Sequence, residues 1–169
     1  NQENNADYEL NEDIKTAKEI VKKQQTAMKR MEKGVDLIAS NSKVRKSFSI
    51  ANKAMLLQMK QSSIDSPGWR PFQLGFILMT LESTINQDSS FRDTLDLIWF
   101  PTGGGKTEAY LGLMAFLFVY RRLNYKDTSG GTVAIMRYTL RLLSSQQFLR
   151  ATKVICALEL IRKENVSEL

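Results

Sequence analysis

The chain has no histidine and a single cysteine, Cys156, in 169 residues. A lone cysteine excludes an internal disulfide, and without histidine the common zinc-ligand sets and every histidine-dependent acid–base or triad mechanism are closed. No run of about eighteen uncharged apolar residues occurs, so no membrane span is expected. The opening residues, 1–11, are polar and acidic, where a signal peptide needs a basic start and an apolar centre. Internal repeats and low-complexity tracts are missing too. Together these absences predict a zinc-free cytoplasmic protein. Cys156, set among Val154, Ile155, Ala157 and Leu158, is expected to be a small core hydrophobe.

What is present is an ordinary globular composition, 43% hydrophobic and 25% charged, enough for one domain with an extension. A net charge of +6 favours anionic partners, nucleic acid first among them. Ten Lys and Arg stand against three acids between Lys15 and Lys46, a pattern that a solvated helix face also shows.

Apolar residues at Leu10, Ile14, Ala17, Val21, Met28, Met31, Val35 and Ile38 alternate in steps of four and three, interrupted at Gln24. This is a heptad-like helical stripe, and it needs a partner surface. Glu9, Glu12 and Asp13 precede Lys15, Lys18, Lys22 and Lys23, the order that the helix macrodipole favours. A second helix over 47–60 would present Phe48, Ala51, Met55 and Met59. The polar break at 62–68 divides a helical arm, residues 1–66, from a second unit, residues 67–169.

In that second unit Trp69-Arg-Pro-Phe-Gln73 opens an apolar helix to about Ile85, and Leu95–Phe100 reads as a buried strand. An apolar helix follows along 109–120, then a turn, then a second buried strand at Thr132–Met136. A last helix, from Thr139 to about Lys163, is expected to turn Leu143, Ala151, Ile155, Leu158 and Ile161 inward. Strand, helix, strand implies a parallel pair with a right-handed crossover. The expected fold class is therefore α/β, the start of a RecA-like P-loop lobe preceded by an α-helical arm.

Between the first strand and its helix lies Pro101-Thr-Gly-Gly-Gly-Lys-Thr107. Glycines let backbone N–H groups approach phosphate oxygens, a lysine supplies a point charge, and a threonine hydroxyl can ligate Mg²⁺. ATP-type nucleotide and Mg²⁺ are thus the expected ligands, with Lys106 and Thr107 as the catalytic pair. The full G-x-x-x-x-G-K-[ST] pattern is not met, because Phe100 stands where its first glycine would be. Thr-Gly-Gly-Gly-Lys-Thr instead resembles motif I of superfamily 2 helicases and translocases.

Two further segments carry the same resemblance. Arg70-Pro-Phe-Gln73 is similar to the segment whose glutamine reads adenine, a task suited to an amide that donates and accepts in one plane. Thr139-Leu-Arg-Leu-Leu-Ser-Ser-Gln146 is similar to motif Ia, which lies along the nucleic-acid track. Together with Ser49–Gln58, Trp99–Tyr110 and Met136–Gln147, these motifs resemble a narrower group, the DrmA-like helicase subunits of DISARM, a bacterial antiphage system. Related defence helicases, such as those of Druantia systems, are a second home.

The resemblance implies a DNA-dependent ATPase of the bacterial cytoplasm that works with a DrmB-like partner. It implies an ATP site made of Gln73, Thr102, Gly103, Gly104, Gly105, Lys106, Thr107 and Glu108, with Thr107 on Mg²⁺. Thr139, Arg141 and Gln146 would meet the DNA backbone. An acidic Walker B pair, an arginine finger and a second lobe are not found in the sequence, so the chain reads as a piece of a longer protein and is expected to turn over no ATP alone. A P-loop phosphotransferase and a non-catalytic nucleotide-sensing module are the alternatives.

Overall fold

Two long helices meet at Asn41. The computed structural model describes residues 2–61, 67–101, 103–138 and 141–164, and its first element, α1, runs Gln2–Ser40, followed by α2 at Ser42–Gln61. Asn41 closes the first helix and starts the second. Its N–H donates to the Leu37 carbonyl at 3.0 Å, and its Oδ1 accepts from the N–H groups of Lys43 and Val44 at 3.0 and 3.1 Å. That side-chain oxygen satisfies donors which a helix start otherwise leaves unpaired. Arg45 of α2 reaches back to the Ala39 carbonyl at 2.7 Å, placing a cation on the last turn of α1.

The third helix, α3, spans Pro71–Ile85, with proline in the first turn, where a missing N–H costs nothing. Arg92 closes its far end by donating to the carbonyls of Ser83 and Thr84 at 3.0 and 2.9 Å. Helix α4 spans Lys106–Tyr125, ends in a short 3₁₀ turn at Lys126–Thr128, and is followed by α5 at Arg141–Glu164.

α2 lies against both α4 and α5, while α3 is held between α1 and α4. The core is where these faces meet: Met55 from α2, Leu81 from α3, Leu111 and Phe116 from α4, and Val154 from α5 are all buried. Each such side chain contributes about 1.5–3 kcal/mol by leaving water. Close approach is built in with glycine. A Cβ on Gly34 of α1 would overlap the Leu78 carbonyl oxygen of α3, and one on Gly112 of α4 would meet the Trp69 ring at 2.5 Å. Trp69 is itself held by Asn52, which accepts from its indole N–H at 2.5 Å.

The expected α/β class is overturned. Among the described residues there are five α-helices and no strand. The two segments read as buried strands, Leu95–Phe100 and Thr132–Met136, are irregular in conformation, and Leu95, Trp99 and Ile135 are 93, 90 and 86% exposed. Among the described residues no parallel pair, crossover or RecA-like sheet is formed. The physical reason is that a strand exists only as half of a hydrogen-bonded pair, whereas composition reports only a preference for a pleated, half-buried surface.

Smaller expectations about α5 are corrected as well. Cys156 is exposed, because α5 turns Ala151, Val154, Ala157 and Ile161 to the core and leaves Ile155 half exposed. On α1, Ile14, Val21, Met28 and Val35 of the heptad-like stripe are each 44 to 50% exposed. No described helix is long and apolar enough to cross a membrane.

Candidate functional site

The glycine loop is a turn at the start of α4, bracketed by the start of α3. Gly103 and Gly105 adopt φ values of 80° and 86°, a region that L side chains avoid. The Gly104 N–H donates to the Pro101 carbonyl at 3.2 Å, which closes the turn. Helix α4 then begins at Lys106, so its first-turn N–H groups have no partner within the helix and face the loop with the positive end of the dipole.

Lys106 donates from Nζ to the carbonyls of Phe100 and Pro101 at 2.6 and 2.9 Å. The ammonium therefore folds back over its own loop. Thr107 is partly buried in the first turn of α4. Glu108 is buried; its Oε1 pairs with Arg150 of α5 at 2.7 Å, and its Oε2 has no hydrogen-bond partner among the described residues.

α3 grips the loop from the other side. Arg70 donates to the Gly104 carbonyl at 3.0 Å, and the Phe72 ring stacks on Phe100 with centroids 4.0 Å apart. Gln73 is 3% exposed and uses both ends of its amide. Its Oε1 accepts from the Arg70 N–H at 2.8 Å, and its Nε2 donates to the Gly105 carbonyl at 2.7 Å. A Cβ on Gly105 would lie 2.7 Å from that Nε2, so the same glycine meets two demands, a left-handed backbone and room for Gln73.

Of the residues singled out from sequence, Gln73, Gly103, Gly104, Gly105, Lys106, Thr107 and Glu108 thus come together around one turn. Thr102 and Thr139 lie outside the described residues, as does the side chain of Arg141. Gln146 is exposed on α5, next to the buried Gln147. Sequence reading missed Arg150, Arg30 and Asp96. Arg30 donates from both terminal nitrogens to the two oxygens of Asp96, at 2.6 and 2.7 Å, across 66 residues of chain. Nothing in the local pattern signals it, because Arg30 is one of ten cations on a polar stretch.

Fold and loop together define a helical protein that presents a glycine-rich, lysine-bearing turn at the N-terminus of a long helix. The chain is similar to the DISARM protein DrmA of Bacillus paralicheniformis, 41% identical over 167 residues that cover 86% of this chain and 15% of that protein. Identity of that order over that length marks homology. The chain spans only 15% of the length of the relative it matches. No family model matches it, and no solved structure does.

Proposed function

We propose that this chain carries the nucleotide-binding turn of an ATP-driven superfamily 2 DNA helicase or translocase acting in bacterial antiphage defence. Homology to a DISARM protein supports the setting. The observation that carries the chemistry is the place of Lys106, first residue of α4, with its ammonium on the Phe100 and Pro101 carbonyls. An ammonium satisfied by two neutral carbonyls is readily drawn to anionic phosphate oxygens, which form stronger, charge-assisted hydrogen bonds.

In this reading Lys106, now on the two carbonyls, would hold the β/γ-phosphates, and Thr107 would hold Mg²⁺. The backbone of Gly103 to Gly105 and the first-turn amides of α4 would cradle the phosphates. Glu108, whose Oε2 lies 3.3 Å from where a Gly105 Cβ would sit and has no hydrogen-bond partner among the described residues, would offer an acceptor beside the place where Thr107 would hold Mg²⁺. Bound Mg-ATP supplies the phosphoanhydride whose cleavage drives the motor. Gln73, which already bonds the Gly105 carbonyl and the Arg70 N–H, has one further N–H and one further lone pair on its amide with which to meet adenine, so the base would sit against the residue that also holds the loop.

Thr139, Arg141 and Gln146 hold DNA phosphates without reading bases, and such binding weakens steeply as salt rises. The setting is the bacterial cytoplasm, with a DrmB-like protein as partner. The test is ATP turnover by the intact protein with and without single- and double-stranded DNA, beside Lys106→Ala. The expected outcome is DNA-stimulated turnover that falls at least about a hundredfold in the variant. Turnover indifferent to DNA would instead indicate a phosphotransferase, and nucleotide binding without turnover a sensing module.

A further inference from the structure

Within about one turn of its C-terminal part, helix α1 is both fastened to α3 and bonded to the approach of the glycine loop. Gly34 sits directly on the Leu78 backbone of α3, and Lys33 donates to Glu82 at 2.9 Å. One turn earlier, Arg30 is 10% exposed at its side chain and makes its two-pronged bond to Asp96, which is 15% exposed. Its guanidinium also lies 4.5 Å over the Phe91 ring. A planar fork seated on a ring and matched to both carboxylate oxygens has little freedom left.

Asp96 is the entry to the loop. Upstream, Thr94 donates to the Phe91 carbonyl at 3.1 Å; downstream, Phe100 stacks on Phe72 and accepts from Lys106. Between them Leu95, Leu97 and Trp99 are 93, 73 and 90% exposed, and Ile98 is partly buried. The Arg30 bond is therefore the polar anchor of this stretch, as Arg70 and Gln73 anchor the far side of the loop.

We infer that Arg30 is a positioning residue for the nucleotide site: through Asp96, helix α1 holds the approach to the Phe100 and Pro101 carbonyls in the conformation from which Lys106 engages phosphate. The inference rests on the nucleotide-binding reading above. It makes α1 a lever, since any partner that shifts its exposed stretch, residues 12–26, also bears on the loop. Ordering residues 95–99 in the free protein removes an entropic cost from binding, the general basis of preorganised affinity.

The experiment measures, in the intact protein with Mg²⁺, the affinity for a fluorescent ATP analogue and the melting temperature, for wild type, Arg30→Met, Asp96→Ala, the double variant, and Lys106→Ala. Each single change leaves a charge without its partner and should lower the melting temperature; the double removes both charges and should recover most of that loss. Affinity should stay about fivefold weaker in the double variant, because the anchor is still missing. Lys33→Ala, which loosens α1 from Glu82 but leaves Asp96 alone, should not change affinity. If affinity recovers with melting temperature in the double variant, the pair only packs α1, and the inference is wrong while nucleotide binding stands. If wild type does not bind the analogue, or Lys106→Ala binds it equally well, the nucleotide reading fails and the inference fails with it.

Discussion

Helix α4 and the run that precedes the glycine loop are comparably apolar in sequence, yet they meet opposite fates. Leu111, Ala115 and Phe116 of α4 are fully buried, while Leu95, Leu97 and Trp99 face solvent. A helix satisfies its backbone within itself and needs only a face to bury, which α2 and α3 supply. An extended run carries unpaired N–H and C=O groups and is buried only where another strand receives them. Two apolar stretches on either side of one turn therefore differ by what their backbones require, and not by hydrophobicity.

The comparison is broken most directly by truncating one large side chain on each side. Phe116→Ala should cost about 3–5 kcal/mol of unfolding free energy, and Trp99→Ala less than about 0.5 kcal/mol, in urea titrations of the two variants. A Trp99 variant as costly as the Phe116 one would show that the run is buried in solution after all. A change on the helical side alone sharpens the contrast: Asn41→Ala should remove about 1 kcal/mol by uncapping α2, with a lowered denaturant midpoint and an unchanged slope.

The smallest effect expected is that of pH. Glu82 is buried, which raises its pKa, but hydrogen bonds from Ser89, Lys33 and Asn86 outweigh burial and hold the carboxyl below its ordinary value of 4.5. A carboxylate depressed in the folded state contributes stability that is complete above the unfolded pKa and is lost as pH falls through the folded one. Melting temperature should therefore drop as pH is lowered from 4.5, and Glu82→Gln should flatten that part of the curve. An identical profile in both proteins would show that other carboxylates carry the acid sensitivity.

The helices were largely legible in the sequence. Steps of three and four residues marked α1, an apolar face marked α2, and the apolar run opened by Trp69–Gln73 marked α3, because helical signals are local and the helix closes its own hydrogen bonds. Leu95–Phe100 and Thr132–Met136 were misread for the complementary reason, since nothing in a run of apolar residues says whether a second strand lies beside it. Cys156 was misplaced by a finer margin, the rotation of α5 about its axis, which packing against α2 and α4 sets.

The chain's own order of residues determined that there is a turn at 103–105 needing glycine, that Lys106 follows it, and that a long helix begins there; left-handed backbone and helix starts are properties of neighbouring residues. Only the tertiary structure decided what holds that turn. Gln73 clips Gly105, Arg150 neutralises Glu108, and Arg30 ties Asp96 to α1. Those bonds join residues 32, 42 and 66 positions apart, and at such separations it is the packing of whole helices, through contacts such as Gly34 on Leu78, that brings donor and acceptor within reach.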